Sequence, residues 1–294
     1  MSMKFNDAVS KGGFVITAEC IPPHGGVIDS LKSSASSLSS LVNAAYVPEC
    51  KNGIRMSALA ASRHLIDAGM DAILQLTTRD MNRIALQAAL LGAVSMGIKS
   101  VVCTTGKHQA LTSSKSARGV FDVDPIQLLA IADGMRKNGI FADGQLIEGK
   151  IDFLLGVETN PFSENIELQV MTLEKAIAAG ADFVFTQPVF KLDKFNEWMN
   201  LVRQRKLHEN VCIIATVLPL SSIQQAVELS EAGSNLDVGE DVLKRLESMT
   251  GVALASEIAT TLKATEGVRG ICIMAGDDAN LAKDVLTTSG IAGS

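Results

Sequence analysis

The sequence predicts an α/β protein built as a (β/α)8 TIM barrel, with one additional helix before the last strand. Three observations predict it. Short runs rich in Val, Ile, Phe or Ala alternate with longer stretches of helical periodicity, the order that makes a parallel sheet with helices over it. Eight such runs occur, the number that closes a barrel. Gly69, Gly97, Gly139 and Gly180 each follow a helical stretch, where a left-handed residue without a Cβ ends a helix.

Taken in order, strands are expected at 14–20, 41–47, 72–76, 99–104, 152–157, 182–186, 211–216 and 268–274. Helices are expected at 28–40, 57–68, 81–97, 124–138, 164–179, 191–205, 221–231 and 278–289, with the additional one at 239–264. The first strand carries an apolar run from Phe14 into Thr17-Ala18-Glu19 and stops at Pro22-Pro23, which deliver no backbone donor to a ladder. The longest irregular connection, 105–124, follows the fourth strand, where barrels place functional loops. Within it, Gly119-Val120-Phe121-Asp122 is expected to fold back as a lid.

The 294 residues suit one large α/β domain spanning 1–294, since barrels of about 250 residues form single units. Aromatics are only 4% against 47% hydrophobic residues, so the core is expected to be mostly aliphatic. A net charge of −6 without a basic stripe argues against nucleic acid and for small-molecule ligands. No apolar run reaches membrane-spanning length and no signal peptide is evident, so a cytoplasmic protein without membrane association is expected. Cys20, Cys50, Cys103, Cys212 and Cys272 form no Cys-x-x-Cys pair and read as reduced, mostly buried thiols. Four histidines without ligand spacing argue against a metal site.

If the strands close, their C-terminal ends converge on one mouth. There Glu19 is the candidate general acid, because an apolar surrounding destabilises the charged form of a carboxylate. The competing reading is a structural Glu paired with Arg55 or Arg79. Gln187, between apolar neighbours in Thr186-Gln187-Pro188-Val189-Phe190, offers a donor and an acceptor to the amide edge of a heterocycle, or ties the strand end to a loop. Lys107 follows Gly106 directly after the fourth strand. Three roles stay open for it: electrostatic partner of an anionic ligand or flavin edge, Schiff-base nucleophile, or ion-pair partner of Glu19 or Glu158. His108 reads equally as a solvated loop histidine, and Lys175 as a surface lysine of the helix after the fifth strand.

At these residues the chain resembles the methylenetetrahydrofolate reductase family, especially its short bacterial, acetogen-like form. The landmarks are Thr17-Ala18-Glu19 with Pro22-Pro23, Arg55-Met56-Ser57, Gln75-Leu76-Thr77-Thr78-Arg79-Asp80, Gly119-Val120-Phe121-Asp122, Asn160-Pro161-Phe162 and Thr186-Gln187-Pro188-Val189-Phe190. The resemblance implies a barrel with FAD, or FMN, at its mouth. It also implies hydride transfer from NAD(P)H or another donor through the flavin to 5,10-methylenetetrahydrofolate, giving 5-methyltetrahydrofolate. By the same resemblance Glu19 is the acid that opens the folate ring and Gln187 a contact of the stacked folate or nicotinamide. Tyr46, Gln75, Gly106, Lys107, His108, Asn160 and Lys175 fall at or near flavin-contacting positions.

The chain departs from the family where a Gly-Asp pair usually follows the fourth strand; here it reads Gly106-Lys107. A cation there favours an anionic reduced flavin but removes an acceptor from the folate pocket. The departure keeps two alternatives in view: a flavin-free tetrahydrofolate-binding methyltransferase component, and a subunit that takes electrons or methyl groups from a partner protein. A Schiff-base lyase using Lys107 is a remoter one. A homo-oligomer is expected.

Overall fold

The computed structural model describes residues 3–231, 236 and 238–291. Its eight strands are all parallel and close into a barrel in chain order: β1 (Val15–Glu19), β2 (Ala44–Val47), β3 (Ala72–Thr77), β4 (Ser100–Thr104), β5 (Leu154–Thr159), β6 (Phe183–Pro188), β7 (Cys212–Val217) and β8 (Val268–Ile273). Closure is made by β8 pairing with β1, Val15 opposite Gly270 and Ala18 opposite Ile273. Around them lie α1 (Phe5–Ser10), α2 (Asp29–Leu38), α3 (Ala58–Asp67), α4 (Arg83–Ser95), α5 (Pro125–Asn138), α6 (Ile166–Ala178) and α7 (Leu192–Gln204). The circuit ends with α8 (Ile223–Glu231), α9 (Glu240–Leu246), α10 (Gly251–Ala264) and α11 (Ala279–Thr288). The predicted (β/α)8 barrel is the observed one.

Two layers of core follow from the alternation along each strand. Outward-facing residues such as Ala18, Leu74, Val101, Val184 and Ile213 pack beneath the helices, while inward-facing Val15, Ala44, Ile73, Val102, Ile214 and Cys272 fill the barrel. The axis is more aromatic than the composition suggests. Phe5 of α1 plugs the N-terminal end and meets Phe183 edge-on at 5.2 Å; Phe183 meets Phe185 at 5.8 Å, and Phe185 meets Tyr46 at 4.9 Å. Scarce rings are thus concentrated in one column, and Gly156 makes room for it, since a Cβ there would lie 2.2 Å from Phe183. The column ends at the polar layer of the mouth.

Three elements differ from expectation. The helix predicted over 239–264 is two helices, because the Thr250 side chain caps a new N-terminus by accepting from the Ala253 N–H. At that start Gly251 lies against the Leu220 carbonyl, which a Cβ would meet at 1.6 Å. The plug helix α1 went unforeseen, since six residues are too few for a periodic signal. Strand β6 also runs further than predicted, through Gln187 to Pro188.

Candidate active site

The C-terminal ends of the strands enclose a cavity of about 380 Å³ lined by Glu19, Tyr46, Gln75, Lys107, Glu158 and Gln187, with Glu49, Lys51, Arg79, Gly106, Asn160 and Met274 among its other walls. That volume lies in the range of small-molecule sites, about 300–1,000 Å³. The strand-borne side chains are there by period, Phe183, Phe185 and Gln187 sharing the inward face of β6 as Val15, Thr17 and Glu19 do on β1, while Glu49, Lys51, Arg79, Lys107 and Asn160 come from the loops that follow the strands. The register between β6 and β7 shifts between Phe185 and Pro188, and the Thr186 hydroxyl oxygen accepts the Thr216 N–H at 3.0 Å. This irregularity sets the aim of Gln187, as bulges beside sites commonly do.

The floor of the cavity is a closed hydrogen-bond network. Tyr46 donates its hydroxyl to Glu158 Oε1, and Gln75 Nε2 donates both to that hydroxyl at 2.5 Å and to Glu158 Oε1 at 2.9 Å. Thr104 donates to Glu158 Oε2 at 2.9 Å, and Gln75 Oε1 accepts the Glu49 N–H at 2.9 Å. Burial, reinforced by the Glu158 carboxylate, pushes the Tyr46 hydroxyl well above its ordinary value, so it remains a donor. Both polar ends of Gln75 and both faces of the Tyr46 hydroxyl are therefore engaged with protein. They support the cavity from below, their polar atoms hydrogen-bonded to protein while both residues still line the cavity in which the resemblance implies a flavin.

The wall at β1 is different. Glu19 is 2% exposed; Lys51 Nζ donates to its Oε1, while Oε2 is buried and has no partner among the described residues. Arg55 pairs with Asp277 and Arg79 with Asp80, so neither arginine is the partner considered for Glu19 from the sequence. Gln187 is half-buried on the opposite strand set, and its side-chain amide has no hydrogen-bond partner among the described residues.

Lys107 borders the same cavity and pairs with neither Glu19 nor Glu158; burial first, then the charge of Lys51, lowers its titration below the lysine value of 10.5. Its loop is held by Arg79, whose Nη1 donates to the Lys107 carbonyl at 2.7 Å and whose own carbonyl accepts the Val120 N–H at 2.7 Å. The 119–122 segment thus folds back onto the loop after β3, and Asp122 accepts from Arg83 there. Gly106 has φ +78°, and a Cβ on it would press Thr77 Cγ2 at 3.1 Å. Asn160 lines the cavity with its Oδ1 accepting the Phe162 N–H at 3.0 Å, which leaves its amide nitrogen to the cavity side.

Two predicted contacts fall elsewhere. Lys175 is exposed in the last turn of α6, a helix that returns toward the N-terminal face, so its amine is directed away from the mouth. His108 is exposed, and its Nδ1 accepts the Ala110 N–H at 3.2 Å in a short 3-10 turn, beside the Phe121 ring. Conversely, Lys51 was not foreseen. Its signal was topological: Glu19 pairs in register with Tyr46, which brings the loop after β2 alongside the acid. Among the described residues no group of three or more His, Cys, Asp or Glu side chains could hold a metal ion, and no helix is long and apolar enough to cross a membrane.

No curated protein matches this chain by sequence. Among solved structures, an uncharacterized protein from Clostridium thermocellum that binds two copies of 5-methyl-5,6,7,8-tetrahydrofolic acid is similar with a TM-score of 0.68 at 13% identity, covering 97% of this chain and 96% of that one. A 2,3-dimethylmalate lyase of the PEP mutase/isocitrate lyase superfamily follows with a TM-score of 0.53 at 14% identity, covering 100% and 88%. Tryptophan synthase from M. tuberculosis has a TM-score of 0.51 at 12% identity, covering 97% and 96%. At such identities these likenesses establish the barrel fold. The sequence model of methylenetetrahydrofolate reductase matches residues 4–290, nearly the whole chain, and the protein therefore belongs to the methylenetetrahydrofolate reductase family.

Proposed function

We propose that the mouth binds a reduced folate and that the protein reduces 5,10-methylenetetrahydrofolate to 5-methyltetrahydrofolate with a flavin. The observation that carries this reading is a pair of polar groups on one cavity that have no partner among the described residues: the buried Oε2 of Glu19 and the side-chain amide of Gln187. Buried polar groups are normally satisfied, so a site that leaves them open is suited to a ligand that completes them. Family membership and the folate-binding barrel from Clostridium thermocellum support the choice of ligand.

The residues present fit a flavin ring. Gly106, Lys107 and Asn160 border the same cavity, offering a backbone without a side chain, a cation and an amide to a flavin edge. Those three residues would hold it; Tyr46 and Gln75 would lie beneath. When bound, the flavin supplies hydride to the one-carbon unit of the folate. The chain's own part is a proton and an orientation. Glu19 protonates the folate amine whose departure opens the five-membered ring, a role served by an acid placed within hydrogen-bond reach. Gln187 holds the amide edge of the pterin, where its donor and acceptor match the complementary pair. Lys107 offsets negative charge in a cavity that also contains Glu19, Glu49 and Glu158.

The test is an anaerobic assay with added FAD or FMN and a reductant, following 5-methyltetrahydrofolate. Glu19→Gln is expected to lower folate reduction by about 10²–10⁴-fold while leaving flavin-dependent oxidation of NAD(P)H by a quinone unchanged, because only the folate half-reaction needs the proton. Full folate turnover in Glu19→Gln, or a protein that takes up no flavin, overturns the reading.

A further inference from the structure

The Glu19 side chain is buried even though it borders the cavity. Its side chain is 0% exposed, and its one hydrogen-bond partner among the described residues is Lys51. Cys20 and Cys272 lie within its electrostatic reach, and burial, with the charge of Glu19 adding, pushes both thiols up to about 12. Near neutral pH they stay protonated and carry no proton traffic. Lys51 is differently placed: its Nζ touches Glu19 Oε1 while its side chain is 32% exposed. Lys51 thus touches the buried acid and is itself partly exposed on the same cavity.

The loop after β2 is built to keep it there. On the near side the Glu49 N–H donates to Gln75 Oε1 at 2.9 Å, and Glu49 Oε2 accepts the Ala58 N–H at 2.9 Å. Cys50 donates its thiol to Glu49 Oε1 at 3.3 Å and adopts φ +41°. A non-glycine residue in that region is strained and persists only where its surroundings over-determine it. On the far side the Ser113 N–H and hydroxyl both donate to the Asn52 carbonyl, at 3.2 and 3.0 Å. Lys51 is thus clamped between two anchored neighbours.

We propose that Lys51 is the proton relay between solvent and Glu19. When Glu19 has given up its proton, an Nζ–H bond of Lys51 breaks and an O–H bond forms on the Glu19 carboxylate, with the electron pair left on Nζ. The neutral amine then takes a proton from water or a buffer acid at its exposed side. Lys51 acts through Glu19 and is a positioning residue. The proposal rests on the reading of Glu19 as the acid. The charged groups that share the cavity with Lys51 are Glu19 from β1, Glu49 from its own loop, Arg79 and Lys107 from the loops after β3 and β4, and Glu158 from β5, with Glu19 in direct contact and Lys107 within electrostatic reach.

Arginine holds its proton throughout the accessible pH range, so Lys51→Arg preserves the charge and removes the relay, whereas Lys51→Met removes both. The experiment is a pH jump on the ligand-free protein, followed by infrared absorption of the Glu19 carboxyl, identified as the band missing in Glu19→Gln. Both variants are expected to protonate Glu19 at least about tenfold more slowly than wild type, and methylamine is expected to restore the rate in Lys51→Met but not in Lys51→Arg. A wild-type rate in Lys51→Arg, or a slow Lys51→Met that methylamine fails to rescue, overturns the relay. Because no folate is present, a protein without folate reduction but with these kinetics sinks the functional reading alone.

Discussion

Glu158 and Glu19 are both carboxylates at the C-terminal ends of barrel strands, and their circumstances are opposite. Glu158 receives hydrogens from Tyr46, Gln75 and Thr104 and joins four strands into one floor. Glu19 is more deeply buried, has a single cationic partner and leaves one oxygen unpaired. The two glutamines divide the same way: Gln75 is engaged at both ends, whereas among the described residues Gln187 is engaged at neither. A satisfied network stabilises and rigidifies; an unsatisfied group at the same depth costs stability and is retained for what it binds. The mouth therefore combines a hydrogen-bonded floor joining β2 to β5 with groups on β1 and β6 that are left open among the described residues.

The sharpest way to break this comparison is to delete the centre of the floor. Glu158→Ala strands three donors at once, and at about 1–3 kcal/mol for each buried orphan the loss of unfolding free energy should be about 3 kcal/mol or more, read from urea denaturation. An unchanged midpoint would mean the floor is not a scaffold. Gln187→Leu should do the reverse. It should leave the urea midpoint near wild type and weaken binding of 5-methyltetrahydrofolate by about tenfold in calorimetry, the scale of a single hydrogen bond between protein and ligand.

Smaller effects sharpen the boundary. The Lys107 titration is lowered in the folded protein, so its charged form opposes folding at pH below its folded value, and that cost fades as pH rises through it toward 10.5. Lys107→Met should consequently be the more stable protein near pH 7, with the gap in melting temperature closing toward pH 10.5. The smallest effect belongs to the rim. The Arg83 hydrogen bonds hold Asp122 down at about 2, so its contribution is complete above 3.8 and disappears as pH falls toward about 2. Asp122→Asn should melt slightly below wild type at pH 5 and converge with it at pH 2, as exposed pairs contribute little.

Much of the barrel was legible because each element carries its own local signal. Glycines end helices at positive φ at Gly69, Gly97, Gly139 and Gly180, as their positions implied. The break at Thr250-Gly251 was not legible, since the apolar pattern continues across it and the glycine is required by the Leu220 carbonyl, a neighbour distant in sequence. In the site, Glu19 and Gln187 were legible as strand-end residues facing one mouth. Their partners were not. Whether an amide such as Gln75 is free or engaged depends on Tyr46 and Glu158, which are brought to it from other strands. Lys175 shows the converse, a residue type suited to an anion on a helix turn that points away from the mouth.

The most direct test of the central claim, that the open groups and not the satisfied ones meet the ligand, is a titration of glutamine-labelled protein with 5-methyltetrahydrofolate followed by side-chain amide NMR. The account predicts that the Gln187 amide pair shifts on binding while the Gln75 pair stays in place. A Gln187 signal that does not move at saturation, or a Gln75 signal that moves in its stead, would contradict it.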